Sequence, residues 1–125
     1  MTTLHQDLKE LRTNPSLEVK GRIVNKITKL YNSDEFSPSE KLEAEAVIKL
    51  MVAKSIAIIK EIIAKNLKYN TEIGRDVILQ LARDVEQVSL PILECSPLLT
   101  NQDLISIVHD TNNENCLSAI ARRQD

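Results

Sequence analysis

The residue types that most often perform chemistry are few in this chain and lie far apart in the sequence. The two histidines, His5 and His109, belong to no H-E-x-x-H motif and to no other pair with metal-ligand spacing. The two cysteines, Cys95 and Cys116, form no C-x-x-C pair and lie among aliphatic residues, which is typical of reduced cysteines in the core of a cytoplasmic protein. These residues therefore predict no metal site, no cofactor and no disulfide.

Chemistry that depends on glycine or on paired carboxylates is also poorly represented. The chain has two glycines, so it carries no phosphate loop, no dinucleotide fingerprint and no nucleophile elbow. Glu40, Glu43 and Glu45 form an acidic cluster, and a metal site is the alternative to a first helical turn that favours negative charge. His109 falls at a predicted helix C-terminus, where the helix dipole favours a positive imidazolium. We therefore predict a protein that is not an enzyme.

A row of basic residues could bind nucleic acid. Arg22, Lys26 and Lys29 recur at helical spacing and form a stripe on one face of the second predicted helix. Such a stripe can bind a phosphate backbone, because phosphate contacts require charge more than a sequence motif. Against this hypothesis, the net charge is −2, and two tyrosines and one phenylalanine offer little base stacking. Nucleic-acid binding is therefore the alternative to protein binding and not the main prediction.

Composition indicates what kind of fold must position these residues. Of the 125 residues, 42% are hydrophobic and 2% aromatic, so the core must be aliphatic. The most apolar stretch, residues 48–67, is interrupted by Lys and Glu and is not a bilayer span. The first residues show no basic segment followed by an apolar block, which predicts no signal peptide and a cytoplasmic location. With so few glycines for tight β-turns, we predict a single all-α domain over residues 1–125.

Capping residues mark the predicted helix boundaries. Ser37, Pro38 and Glu40 combine an N-cap, a proline at the first helical position and a capping box. The pattern then runs without Gly or Pro to Leu67, and we predict a break near Ser55 rather than one long helix. The remaining predicted boundaries are an end at Asn14-Pro15 and starts at Ser16, Thr71, Asp84 with Gln87, Thr100 with Asp103, and Asn113.

An internal repeat connects the predicted helices. Residues 50–64 align with residues 79–93 without a gap at a constant offset of 29, and the predicted helix starts coincide. A third copy covers residues 105–120, and a faint earlier copy covers residues 11–23. Each unit is a pair of helices that cannot cover its own apolar face, so stacked units would bury a continuous core. We therefore predict a HEAT-like helical repeat, a short right-handed α-solenoid of about seven or eight helices. An ordinary helical bundle is the alternative. The approximate repeats are 4–32, 38–68, 71–96 and 100–125.

The same segments resemble a known family. Leu81-Ala-Arg-Asp84, Pro91-Ile-Leu93, Ser96-Pro-Leu-Leu99 and Ala119-Ile-Ala-Arg-Arg123 resemble an uncharacterised bacterial family of HEAT-like repeat proteins, a domain of unknown function. The resemblance covers roughly residues 10–123. It implies a helical-repeat fold in a bacterial protein, and it implies no activity, ligand or catalytic residue. Members usually continue beyond the equivalent of the last motif, so we expect this chain to be the N-terminal part of a longer protein.

The surface of such a stack is the predicted site of function. Stacked helix pairs present an extended face, and faces of this kind bind proteins or peptides. We therefore predict a non-enzymatic interaction module whose partner is a protein. The candidate partner surface comprises the basic stripe and charged side chains of the second helices: Arg22, Lys26, Lys29, Lys60, Glu61, Glu86 and Glu94. We also expect self-association through the C-terminal helix, because Cys116, Leu117 and Ile120 have no following repeat to cover them.

Overall fold

Every regular element in the described part of the chain is an α-helix. The computed structural model describes residues 2–13 and 16–123, with side chains from Gln6 onward. The eight helices in these ranges are α1 (Thr2–Thr13), α2 (Leu17–Asn32), α3 (Pro38–Lys54), α4 (Ala57–Leu67), α5 (Arg75–Ala82), α6 (Glu86–Cys95), α7 (Asn101–Asp110) and α8 (Glu114–Ala121). The predicted all-α class is confirmed, while the predicted helix end at Asn14-Pro15 lies outside the described residues. No helix in these ranges is both long and apolar enough to cross a membrane.

Capping side chains confirm several of the predicted helix starts. Ser37 Oγ accepts from the backbone N–H of Glu40 at 3.2 Å, while Glu40 Oε1 accepts from the N–H of Ser37 at 2.9 Å. Thr100 and Asp103 form the same reciprocal pair at the start of α7. Ser16 and Asn113 also cap the helices that follow them. These signals are reliable because the donor and the acceptor are three residues apart.

The predicted capping box of Asp84 and Gln87 is wrong. Helix α6 begins one residue later than predicted, with Val85 at its N-cap and no side-chain cap. The Asp84 carboxylate accepts from the N–H of Val85 at 2.7 Å and from Lys60 Nζ at 2.7 Å. Gln87 donates to Glu61 Oε1 at 3.0 Å instead of closing a box. Contacts with α4 have therefore replaced the local cap.

The predicted start at Thr71 is also wrong. Asn70 Oδ1 accepts from the backbone N–H groups of Glu72 and Ile73, each at 2.8 Å. This arrangement makes a turn, and α5 begins only after the N-cap Gly74. An asparagine side chain forms such turns readily because its oxygen reaches the backbone two or three residues ahead.

The predicted break between α3 and α4 is confirmed. Helix α3 ends at Lys54, Ser55 is its C-cap, and α4 follows the N-cap Ile56. The N-caps of α4 and α6, Ile56 and Val85, lie 29 residues apart and both have extended backbone. Three pairs of buried residues keep the same offset: Val52 with Leu81, Ile59 with Val88, and Ile63 with Ile92. The starts of α4 and α6 therefore correspond, whereas α3 and α5 differ in length and in the backbone conformation of their C-caps.

The even-numbered helices lie at the centre of the packing. Helix α2 contacts α4, α4 contacts α6, and α6 contacts α8. Helix α1 lies against α2, α3 lies against both α2 and α4, and α5 lies against α6. Apart from Tyr31, the largest fully buried side chains are all Ile or Leu, as the composition predicts. Helix α7 has one buried residue, Ile107. Arg75 of α5 and Arg83 at its C-cap link this helix to α7 through ion pairs with Asp103 and Asp110.

Polar side chains fix the position of α2 against α4 and against the turn that follows α4. Asn66 Nδ2 donates to Asn25 Oδ1 at 2.9 Å and to Thr28 Oγ1 at 2.8 Å. Asn32 Nδ2 donates to the carbonyl oxygen of Asn66 at 2.6 Å, and Asn70 Nδ2 donates to Asn32 Oδ1 at 2.6 Å. Asparagine is a weak helix former, so Asn25 and Asn66 inside helices are a sequence signal of tertiary hydrogen bonding.

Candidate functional site

The basic stripe of α2 is largely paired with acids of α1. Arg22 Nη2 contacts Glu10 Oε2, and Lys26 Nζ lies 3.2 Å from Asp7 Oδ2. Lys29 is exposed and forms no ion pair within the part of the chain that the structure describes. Two of the three charges of the predicted stripe are therefore already compensated.

The other four predicted surface residues connect neighbouring segments of the fold. Their hydrogen-bond and ion-pair partners are Asp84 for Lys60, Lys65 and Gln87 for Glu61, Asn113 and Asn115 for Glu86, and Arg122 for Glu94. The bonds from Lys65 and Gln87 lower the pKa of Glu61, and those from Asn113 and Asn115 lower the pKa of Glu86. These carboxylates are thus charged at neutral pH and serve mainly to hold the helices together.

A groove beside the α3–α4 turn brings aliphatic side chains and lysines together. We call it the Leu17–Ile56 groove. It encloses about 530 Å³, part of it open to solvent, and is lined by Leu17, Lys20, Lys54, Ser55, Ile56 and Ile59. Leu17 and Ile56 are 49% and 61% exposed, whereas Ile59 is buried. Lys20 and Lys54 form no ion pair within the described ranges, so two cations without a carboxylate partner flank an apolar surface.

Exposed aliphatic residues continue from this groove towards α6. Ile58 in the first turn of α4 is 49% exposed, and Val85 at the N-cap of α6 is 56% exposed. The ion pair between Lys60 and Asp84 places Val85 beside the first turn of α4. The corresponding N-cap of α8 is the polar Asn113, so this row ends at α6. N-cap positions favour Ser, Thr, Asp or Asn. The aliphatic residues Ile56 and Val85 at two N-caps were therefore the sequence signal for this surface.

A second cluster lies where α2, α3 and the segment before α5 meet. Tyr31 OH donates to Glu45 Oε1 at 3.0 Å, and Lys41 Nζ lies 4.9 Å from the centre of the Tyr31 ring. Lys41 also pairs with Asp34 at 2.9 Å and with Glu72 at 2.8 Å. Burial first, and then the hydrogen bond to Glu45, raise the pKa of Tyr31 to about 12. The bonds to Glu72 and Asp34 raise the pKa of Lys41.

These pKa shifts make Tyr31 and Lys41 poor catalytic groups. At neutral pH the phenol is protonated and the amine is charged, so neither is available as a general base or a nucleophile. The cluster also explains part of the predicted acidic cluster of α3, since Glu40 caps the helix and Glu45 accepts from Tyr31. Its role here is to join three segments.

Titration of Tyr31 tests this arrangement. In a Tyr69→Phe variant Tyr31 is the single remaining tyrosine, and the chain has no tryptophan, so phenolate absorbance reports Tyr31 alone. We expect a midpoint near pH 12, above the ordinary pKa of about 10. Adding Glu45→Gln should lower that midpoint, because the carboxylate stabilises the protonated phenol.

The pH dependence of stability has a defined sign. The pKa of Tyr31 is higher in the folded than in the unfolded chain. The contribution of Tyr31 to the free energy of unfolding is therefore complete below about pH 10 and is lost as the pH rises towards 12. In urea unfolding between pH 10 and 12, the free energy of unfolding of Tyr31→Phe should therefore fall less than that of the wild type. A midpoint near 10 in the folded Tyr69→Phe variant would contradict the burial of the phenol.

A pocket between α6 and α8 is lined by a cysteine but by no histidine. It spans about 460 Å³, part of it open to solvent, and Cys116 Sγ lies 3.5 Å from Ser89 Oγ at its wall. Arg83 in the same wall is held by Asp110 at 2.7 Å. None of the described residues that line this pocket is a histidine, so the thiol has no adjacent imidazole to activate it. Cys116 is buried as predicted, and Cys95 is half-buried.

The remaining chemical candidates are dispersed. His109 is exposed in the last turn of α7, and the side chain of His5 lies outside the described residues. Among the described side chains, those of residues 6–13 and 16–123, no three from His, Cys, Asp or Glu are placed to hold a metal ion.

Comparison with known proteins identified no relative of this chain. No family model, no curated protein and no solved structure matches this chain. The resemblance to a HEAT-like family therefore stays a prediction.

Proposed function

We propose that this protein is a non-enzymatic helical-repeat interaction module that binds an acidic, aliphatic segment of a partner protein in the Leu17–Ile56 groove. The observation that carries the proposal is the combination of exposed Leu17 and Ile56 with Lys20 and Lys54, which have no ion-pair partner in the described ranges. An aliphatic side chain of the partner would be buried against Leu17 and Ile56. Carboxylates of the partner would bind Lys20 and Lys54.

A HEAT-like, right-handed α-solenoid is the architecture that we propose for this module. The recurrence of helix starts at an offset of 29, together with the succession of contacts from α2 to α8 through α4 and α6, supports it. In such a stack the turns between paired helices lie along one edge. The groove and the exposed Ile58 and Val85 would then form a continuous edge for an extended segment.

The expected affinity for a short segment is modest. Covering two half-exposed aliphatic side chains contributes about 1–2 kcal/mol, and each exposed lysine–carboxylate pair contributes less than about 1 kcal/mol. These contributions add to less than about 4 kcal/mol, so a short peptide is expected to bind with a dissociation constant of about 1 mM or weaker, which NMR titration can measure.

Binding of a nucleic-acid backbone is supported less well. To bind phosphates, Arg22 and Lys26 would have to leave Glu10 and Asp7. Phosphate binding also gives no reason for aliphatic side chains to be exposed beside Lys20 and Lys54. Protein binding accounts for both the charge and the apolar surface of the groove.

The test uses the isotope-labelled full chain and a soluble peptide of Glu and Leu residues. We expect saturable amide shifts confined to residues 17–20 and 54–59. Lys20→Glu should weaken binding about fivefold to tenfold, whereas the matched variant Lys29→Glu, on the same helix but outside the groove, should change it less than about twofold. A peptide with Lys in place of Glu should not bind.

Three results would contradict the proposal. These are an absence of saturable shifts, shifts centred elsewhere, and equal weakening by Lys20→Glu and Lys29→Glu. Short duplex DNA that saturates the protein at lower concentration than the peptide, with a steep loss of affinity in salt, would favour the nucleic-acid alternative.

A further inference from the structure

Helix α7 is held to the rest of the fold by little apolar contact. All ten of its residues are described, and Ile107 is the one that is buried, while Ile105 and Val108 are 52% and 42% exposed. Helix α5, by comparison, buries four of its eight residues. Within the described ranges, α7 is also the one helix that no other helix packs closely against. Since buried apolar contact determines local stability, α7 should separate from the fold more easily than its neighbours.

Two arginines of the α5 segment hold α7 through polar contacts. Arg83 donates to Asp110 Oδ2 at 2.7 Å and to Ser106 Oγ at 2.8 Å. Arg75 forms an ion pair with the carboxylate of Asp103. The two arginine side chains are 42% and 47% exposed, so dissolved salt screens both ion pairs. Exposed ion pairs are individually weak, and these can break while the core stays packed.

The chain is anchored on both sides of α7. Leu99, just before the helix, is buried, and Asn113, just after it, caps α8 with its side chain. The two residues that flank the helix, Thr100 and Thr111, both have extended backbone. Hinges are commonly a few residues at the ends of an element that absorb a change in backbone angles. Residues 100–112, which we call the α7 lid, therefore form a segment with fixed ends and a hinge at each end.

The α7 lid forms one wall of the pocket between α6 and α8. Ile107 and Asp110 line this pocket together with Ser89, Leu93 and Cys116 of the other two helices. The side chains on α6 and α8 are covered, since Leu93 and Ser89 are at most 1% exposed and Cys116 is 7% exposed. Movement of α7 away from α5 would therefore remove the wall and expose these side chains.

We infer that the α7 lid opens as a unit and gives small molecules access to the pocket between α6 and α8. The ion pairs of Arg75 and Arg83 hold it closed, so ionic strength controls the opening. The succession of contacts from α2 to α8 through α4 and α6 does not include α7, and it persists in the open form. The lid thus controls a second site, separate from the Leu17–Ile56 groove.

Labelling of the Cys116 thiol measures the opening. A full chain with Cys95→Ser keeps Cys116 as its single cysteine, and a chromogenic aromatic disulfide reports its reaction. Each labelling rate is divided by the rate for the same chain unfolded in urea at the same salt concentration. In about 0.05 M NaCl we expect the folded chain to react more than about tenfold more slowly than the unfolded chain. Raising NaCl to about 0.5 M should accelerate labelling of the folded chain about threefold to tenfold.

Substitutions in the same background distinguish the lid from a general loosening of the fold. Arg83→Gln should accelerate labelling of Cys116 about threefold to fivefold, and Ile107→Ala more than about tenfold. Two matched variants should stay within about twofold of the background chain. Ile105→Ala replaces an exposed residue of the same helix, and Arg122→Gln removes the ion pair that joins α8 to α6.

Urea below the global transition separates local opening from unfolding. The labelling rate should rise only weakly with urea there, because a local opening exposes little surface. Amide hydrogen exchange of residues 104–111 should also precede that of α6. Four results would overturn the inference: labelling as fast as in the unfolded chain at low salt, labelling that follows global unfolding, no response to salt or to Arg83→Gln, and equal acceleration by Arg122→Gln and Arg83→Gln. The last result would show that α8, and not α7, opens.

Discussion

Ile92→Asp is expected to abolish the cooperative fold. Ile92 is fully buried in α6, the helix that contacts α4, α5 and α8. An unpaired carboxylate at this position costs several kcal/mol, and the lost aliphatic packing adds about 2–4 kcal/mol. The sum is comparable with the 5–15 kcal/mol that stabilises a typical domain. Far-ultraviolet circular dichroism should show a large loss of helicity and no sharp thermal transition.

The matched control for this experiment is Ile105→Asp. Ile105 lies on α7 and is 52% exposed, so the same substitution there should change the free energy of unfolding by less than about 1 kcal/mol. If Ile92→Asp melted within a few degrees of Ile105→Asp, α6 would not lie between α4 and α8 as described.

Asn70→Ala is expected to have the second-largest effect. Asn70 is 9% exposed, and its side chain makes three hydrogen bonds: one to Asn32 and two from the backbone N–H groups of Glu72 and Ile73. Alanine would leave the buried N–H of Ile73 without its acceptor and would detach the α4–α5 turn from α2. We expect a loss of about 2–4 kcal/mol in the free energy of unfolding, measured by urea denaturation.

Asn70→Asp separates the two functions of this side chain. Aspartate keeps the oxygen that accepts from Glu72 and Ile73 and loses the donor to Asn32. The expected loss is therefore smaller, about 1–2 kcal/mol. A larger loss for Asn70→Asp than for Asn70→Ala would show that the turn does not depend on the acceptor.

Much of the secondary structure was predictable because its signals are local. The capping boxes at Ser37 and Thr100 join atoms three residues apart, and no distant residue can alter that spacing. The break between α3 and α4 came from the repeat, since the buried positions recur at a fixed offset in both helix pairs. Errors occurred where a distant group intervened. Asp84 is a good capping residue by type, but its carboxylate is held by Lys60 of α4.

The candidate surfaces were not predictable in the same way. Arg22 and Lys29 are similar cations on one predicted stripe, yet one is paired with Glu10 and the other has no ion pair in the described ranges. The sequence cannot distinguish them, because the pairing depends on how α1 lies against α2. Leu50 and Ile48 are likewise both aliphatic residues of α3, and the contacts of α3 with α2 and α4 determine which of them is buried.

By itself, the sequence determined the helical class, the aliphatic core, most helix boundaries and the 29-residue recurrence. These properties follow from composition and from interactions within a few residues, which are the same wherever the helix lies. Only the tertiary structure decided which charges are compensated and which aliphatic side chains are exposed. Both depend on the residue across a helix contact, so the Leu17–Ile56 groove emerged only once the helices were packed.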